Sequence, residues 1–150
     1  MRALIRRVLR ADVLVSGNQV GAIHKGLLIY LGIAKEDNIT DLEWLIKKVL
    51  NLRIFEDETG KMSSAVSPES GILVVSQFTL LGNVFKGSRP SFHRAAVPAE
   101  GLQMYQAFVK ELRKKFVGKV EEGVFGAEMK VNALDDGPVT IWIDSRHRKY

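Results

Sequence analysis

Ile72-Leu73-Val74-Val75-Ser76-Gln77-Phe78-Thr79-Leu80 is the stretch that decides the fold. It is apolar on both faces, a pattern that suits a strand in the middle of a sheet, covered above and below. The turn-forming Pro68-Glu69-Ser70-Gly71 precedes it. Ser76, Gln77 and Thr79 place three polar side chains, with Phe78 among them, at its end. Buried without partners, such groups cost on the order of 1–3 kcal/mol each, so they need hydrogen bonds or a ligand. Two readings stand nearly level: the strand emerges into solvent after Val75, or its end lines a site. Sheets place ligands beyond the carboxyl ends of their strands, which tilts the balance slightly toward a site.

Upstream, Val13 and Val15 precede the turn cluster Ser16-Gly17-Asn18-Gln19, and Val20 and Ile23 follow it, so a hairpin is expected. Leu27 to Ile33 then reads as a buried strand. Thr40-Asp41-Leu42-Glu43 has the form of a capping box, and Leu42, Leu45, Ile46, Val49 and Leu50 follow at helical spacing with Lys47 and Lys48 outward. Arg53-Ile54-Phe55 reads as a short strand closed by the turn Asp57-Glu58-Thr59-Gly60.

Downstream, Gly82 to Pro90 is a polar loop carrying Lys86 and Arg89. Pro98 opens a second helix with Leu102, Tyr105, Val109, Leu112 and Phe116 as its buried stripe and basic residues in its last turn. The last third reads as strand, turn, strand: Ala127, Met129 and Val131, then Asp135-Asp136-Gly137-Pro138, then Val139 to Ile143. No repeat, low-complexity segment or linker divides the chain, so residues 1–150 are expected to form a single domain.

Composition narrows the function classes. The chain has 150 residues, 46% of them apolar, and no cysteine, which excludes a disordered, collagen-like or disulfide-stapled protein. Multi-cysteine zinc sites are impossible, and His24, His93 and His147 are too scattered for a shared ligand set, so neither a metal nor a cofactor is expected. No apolar run approaches the roughly 18 residues of a membrane span. The basic opening from Met1 to Arg10 faintly resembles a transit peptide but lacks serine and reads better as part of the fold. An intracellular protein, most simply cytoplasmic and without a membrane partner, is expected.

Several chemistries compete with plainer readings. Gly82-Asn83-Val84-Phe85-Lys86-Gly87-Ser88 imitates the glycine spacing of a phosphate-cradling loop, but Ser88 stands where its lysine belongs, which argues against nucleotide hydrolysis. A Ser-His-Asp arrangement stays open but has no G-x-S-x-G elbow behind it. Gly137-Pro138 alone is most simply an ordinary trans turn. The net charge of +5 gathers in Arg2, Arg6, Arg7 and Arg10, in Arg113 to Lys115, and in Arg146, Arg148 and Lys149. Such clusters suit phosphate-bearing partners, yet a solvated face is the commoner explanation for any one of them.

Taken together, Ser76-Gln77-Phe78-Thr79, Gly87-Ser88-Arg89-Pro90-Ser91-Phe92 and Gly137-Pro138-Val139-Thr140 resemble the D-aminoacyl-tRNA deacylases. The resemblance covers the whole chain, including Arg53 to Asp57 and Gly60-Lys61-Met62. It implies an α/β fold of mixed sheets in two layers covered by two main helices, assembled as a homodimer. It implies hydrolysis of the ester between a D-amino acid and the terminal adenosine of tRNA, with mischarged glycyl-tRNA as a second substrate. By the same resemblance, Ser76, Gln77, Phe78 and Thr79 line the catalytic pocket. Gly137 and Pro138 form a cis bond inserted into the partner subunit's site, and Arg7 braces that segment.

The expected stereochemical logic is exclusion: rigid Gly137 and Pro138 carbonyls fill the space an L side chain would need. Thr79 invites a nucleophile reading, but a hydroxyl without a base is weak. A route assisted by the ribose 2′-hydroxyl is favoured, with backbone amides around Phe78 and Thr79 holding the oxyanion. Two residues depart from the family pattern. Asp135 stands where an asparagine is usual and cannot donate a hydrogen bond when ionised, and Ser63 also replaces an asparagine. A non-catalytic tRNA-binding module of the same fold and a small-molecule esterase are the alternatives.

Overall fold

The computed structural model describes residues 1–149. Its order is β1 (Arg2–Val15), β2 (Asn18–Ile23), β3 (Gly26–Gly32), α1 (Ile39–Asn51), β4 (Phe55–Glu56), β5 (Met62–Ser64), β6 (Gly71–Ser76), α2 (Pro98–Lys115), β7 (Lys119–Glu122) and β8 (Lys130–Asp144). A 3-10 turn, Phe78–Leu81, follows β6. The fold is mixed α/β, with β4 and β5 forming a separate small hairpin.

One six-stranded sheet, in the order β2-β1-β3-β6-β7 with β8 beside β1 off that path, brings β2 back against β6 and β7. Along β1, Arg2 to Val8 pairs with β3 and Ala11 to Val15 with β2, while β8 follows nearly the whole other edge. β6 joins β3 in parallel, and β7 joins β6 in parallel. The face alternation of β6 sends Ile72 and Val74 under the helices and Leu73 and Val75 into a second apolar cluster with Val8, Val13 and Ile23. β2 closes over that second cluster so tightly that a Cβ on Gly71 would sit 2.7 Å from Ile23 Cβ. Both faces of β6 are therefore buried, as its doubly apolar sequence requires.

Six expectations change, one being that Ala127 and Met129 precede β8, which starts at Lys130, instead of lying in a strand. β6 ends at Ser76, because Gln77 leaves the extended region (φ −147°, ψ 80°) and Phe78 to Leu81 turn in a 3-10 helix. The cap of α1 is Asn38, not Thr40: its side chain accepts from the Thr40 and Asp41 amides, and Asp41 accepts from the Asn38 amide. Leu102 is exposed, because Gly101 holds the inward position of α2, where any Cβ would meet Phe125 at 3.2 Å. The short strand expected at Arg53 to Phe55 is displaced to Phe55–Glu56, and β7, rich in charge, was not foreseen.

The last correction bears on function. Asp135 to Pro138 is no hairpin turn; β8 runs straight through it. Arg6 pairs with Thr140 and Val8 with Asp135, so residues 136 to 139 bulge opposite Arg7 alone.

Candidate active site

The carboxyl end of β6 delivers Ser76 and Gln77 to a groove of about 690 Å³. The Gln77 amide donates to Leu31 O at 2.8 Å, the last rung before the chain departs from the sheet. The amides of Phe78 and Thr79 begin the 3-10 turn and therefore have no acceptor inside it. Ser76, Gln77 and Phe78 line the groove; Thr79 does not. The Gln77 side-chain amide donates to the Thr79 hydroxyl, a contact that cannot take up a proton. His93, on the rim, pairs its Nδ1 with Ser91 Oγ at 3.2 Å rather than with Thr79.

The walls are apolar. Phe78 and Phe92 meet edge to face with centroids 5.0 Å apart, and Leu31, Phe125 and Met129 continue the lining, while Lys35 adds a cation at the rim. Sequence reasoning assigned none of these walls to the site except Phe78. Phe125 and Met129 arrive from the far end of the chain, and only the folding back of the sheet brings them here.

At the bulge in β8, the Gly137–Pro138 peptide is cis, Gly137 has φ +124°, and both residues are exposed. Arg7, 6% exposed, points its fork beneath them: Nη1 donates to Ile54 O at 2.6 Å, and Nε to Asp136 O at 3.1 Å with the Asp136 carboxylate at 3.2 Å. Asp135 is engaged separately, accepting both arms of Arg6 at 2.9 and 2.7 Å. Bonding to Asp135 raises the Arg6 pKa above its usual value. The aspartate thus holds the bulge by accepting hydrogen bonds where an asparagine could also donate one.

Residues 4–144 match the family model described as D-Tyr-tRNA(Tyr) deacylase. The chain belongs to that family. A D-aminoacyl-tRNA deacylase of Thermosipho melanesiensis is 49% identical over 147 residues, 97% of this chain and 98% of the relative. Among solved structures, one described as "c-Myc DNA Unwinding Element Binding Protein" is 44% identical and superposes with a TM-score of 0.90 over 96% of this chain and 98% of its own. A second, described as "Structural Analysis of a probable eukaryotic D-amino acid tRNA deacylase", shares the fold with a TM-score of 0.78 at 21% identity, over 95% of this chain and 97% of its own. Family membership makes the chain an enzyme, an ester hydrolase.

In this deacylase the two parts singled out in the sequence do not meet within one chain. Gly137 and Pro138 lie opposite Arg7 on β1, whereas Gln77 bonds Leu31, which pairs with Ala3. Four residues of β1 separate those levels, about 14 Å along the strand. Neither Gly137 nor Pro138 lines the groove.

The expected basic clusters are largely spent inside the molecule. Arg2, Arg6 and Arg7 pair with Asp144, Asp135 and Asp136, Arg113 with Glu122, and Arg146 with Glu36 and Asp37. Among the described residues no group of histidines and carboxylates is placed to hold a metal, and no helix is long and apolar enough to cross a membrane.

Proposed function

We propose that this chain hydrolyses the ester of D-aminoacyl-tRNA, releasing the free D-amino acid and tRNA, and that glycyl-tRNA is a second substrate. Water adds to the ester carbonyl, the bond to the ribose 3′-oxygen breaks, and that oxygen leaves with a proton. The vicinal 2′-hydroxyl assists the water. The Phe78 amide, at the groove, faces the developing oxyanion, a contribution worth roughly 2.7–4 kcal/mol per donor in other enzymes, and the neighbouring Thr79 amide is the other donor that the turn leaves free. Ser76 and Gln77 position the substrate at the strand end. Thr79 is not the nucleophile: its hydroxyl is engaged with the Gln77 amide and has no base beside it.

One observation carries the chiral part: the exposed, Arg7-held Gly137–Pro138 bulge lies outside its own chain's groove. A wedge so placed can act only in a second copy, so the active form is a homodimer with each bulge in its partner's site. A carbonyl in the position an L side chain would occupy rejects L-esters by collision, whereas a D side chain points away and glycine has none. The protein works where charged tRNA is found, in the cytoplasm.

The test is release of free amino acid from D-tyrosyl-tRNA and L-tyrosyl-tRNA by the purified protein. Cleavage of the D-ester with the L-ester spared is expected; equal cleavage of both refutes the wedge. A second reading, a non-catalytic nucleic-acid-binding module, draws on the DNA-binding description of the 44% identical structure. Tight, salt-steep binding to uncharged RNA or DNA with neither ester cleaved would favour it. Turnover of D-amino acid esters that lack ribose would point instead to a small-molecule esterase and against assistance by the 2′-hydroxyl.

A further inference from the structure

Between Glu69 and Glu100 the chain contains no acidic residue, yet it carries Lys86, Arg89, His93 and Arg94. This is the segment that leaves the groove at Phe78 and returns to it at Phe92 and His93. Between those points Asn83 and Ser91 exchange backbone hydrogen bonds of 2.9 Å in both directions, closing a hairpin loop. The Asn83 side chain accepts from the Phe85 amide at 2.8 Å and shapes the ascending limb. At the tip Phe85 is 90% exposed, beside Lys86.

What sets this loop apart is that its cations stand beside the groove on a segment with no acidic residue of its own. Most arginines of the clusters visible in the sequence are held in internal ion pairs, Arg10 excepted; among the described residues Lys86, Arg89 and Arg94 have no acidic partner, nor has Lys35. Lys35 is fixed against Arg94 by the hydrogen bond from its amide to Arg94 O at 3.1 Å. Both residues line a smaller cleft of about 250 Å³ next to the groove, whose carboxylates, Glu36 and Asp144, are each paired with arginine. A run of unpaired positive charge therefore leads from the groove's rim out along this hairpin, with an uncovered aromatic ring at its end.

A basic track with an exposed aromatic ring is the arrangement that holds single-stranded nucleic acid, phosphates on the cations and a base on the ring. We infer that the 83–94 hairpin, with Lys35, is the track for the single-stranded 3′ end of the substrate RNA upstream of its terminal nucleotide. Phe85 stacks on a base, and Lys86, Arg89 and Arg94 hold backbone phosphates. This rests on the deacylase reading and extends it, assigning RNA affinity to a surface separate from the strand end where the ester is cut.

The experiment compares D-tyrosyl-tRNA with the D-tyrosyl ester of adenosine, which carries no upstream phosphate. For Lys86→Ala/Arg89→Ala/Arg94→Ala, KM for the tRNA should rise about tenfold or more with kcat retained, and the log–log salt slope should fall by roughly 2, about 0.7 for each phosphate left without its cation. Turnover of the adenosine ester should not follow that rise. Phe85→Ala should raise the tRNA KM about fivefold or more, the low end for a stacked base. Lys47→Ala/Lys110→Ala/Lys115→Ala removes equal charge elsewhere; an equal loss there overturns the track. So does an equal loss on both substrates, no loss on either, or conversion of the hairpin variants from dimer to monomer, which would make the loop a subunit contact. If the wild-type protein cleaves neither ester, the deacylase reading falls. Binding of uncharged tRNA then still decides the track, which about tenfold weakening by the triple variant supports and an unchanged affinity overturns.

Discussion

Replacing Arg7 separates bracing from mere filling of space, because this side chain is buried and its fork serves two backbone carbonyls at once. In Arg7→Ala, Ile54 O and Asp136 O lose donors now at 2.6 and 3.1 Å, and the Asp136 carboxylate loses its cation. Each carbonyl left without its donor costs about 1–3 kcal/mol, and the ion pair adds little because the Asp136 side chain is 30% exposed, yet the sum is a sizeable share of the 5–15 kcal/mol that holds a typical domain together. Arg7→Lys keeps the charge, but an ammonium on a flexible stem does not reproduce a planar fork. One carbonyl then goes unserved, at a cost of about 1–3 kcal/mol. Urea unfolding measures that loss, and the ratio of D-ester to L-ester cleavage reads the geometry of the bulge. If the lysine variant forfeits even ~1.4 kcal/mol of discrimination, the ratio drops about tenfold. Wild-type stability together with an unchanged ratio in Arg7→Lys would refute the reasoning that Arg7 positions Gly137 and Pro138.

Three further outcomes are expected. Thr79→Ala should retain substantial D-ester cleavage, since among the described residues the hydroxyl's hydrogen bond is with the Gln77 amide and not with a base; complete loss in a folded protein would restore the nucleophile. Gly137→Ala should lose roughly 1–3 kcal/mol of stability for placing an L residue at φ +124°, with its Cβ 2.8 Å from Val139 Cγ2, and should also cleave L-esters faster, read by the same paired assay. Burial pushes the Asp144 pKa up, but hydrogen bonds from the Arg146 amide, Arg2 and His147 outweigh it and hold the pKa below the ordinary 3.8. A depressed folded-state value contributes stability that is present above 3.8 and lost as pH falls below it. Urea midpoints measured from pH 5 down to pH 3 should show that loss, and Asp144→Asn should flatten it.

What could be read from the sequence alone was whatever depends on near neighbours in the chain. The doubly apolar Ile72 to Val75 reported a central strand, the spacing of Leu42 to Val49 reported a buried helix face, and the turn residues at 16–19 and 57–60 reported chain reversals. The family motifs pointed to 76–79 and 137–138 as candidate site residues, of which Ser76, Gln77 and Phe78 line the groove. Where two local signals competed, tertiary structure chose. Thr40 heads a capping box in the sequence, but the helix begins at Ile39 and Asn38, extended and accepting from the Thr40 and Asp41 amides, is the cap. Leu102 matched the helical period, but Phe125, packed from a distant segment, left room inward only for Gly101.

Only the folded chain decided that β8 continues through Asp135 to Pro138, because the ladder with β1 resumes on both sides of the bulge. It also decided which cations remain free. Pairings such as Arg2 with Asp144 and Arg146 with Glu36 join residues more than a hundred positions apart, and Coulomb attraction depends on separation in space, not along the chain. The order of residues carries the number of charges; their cancellation, and so the face left positive for a partner, exists only once the sheet has closed.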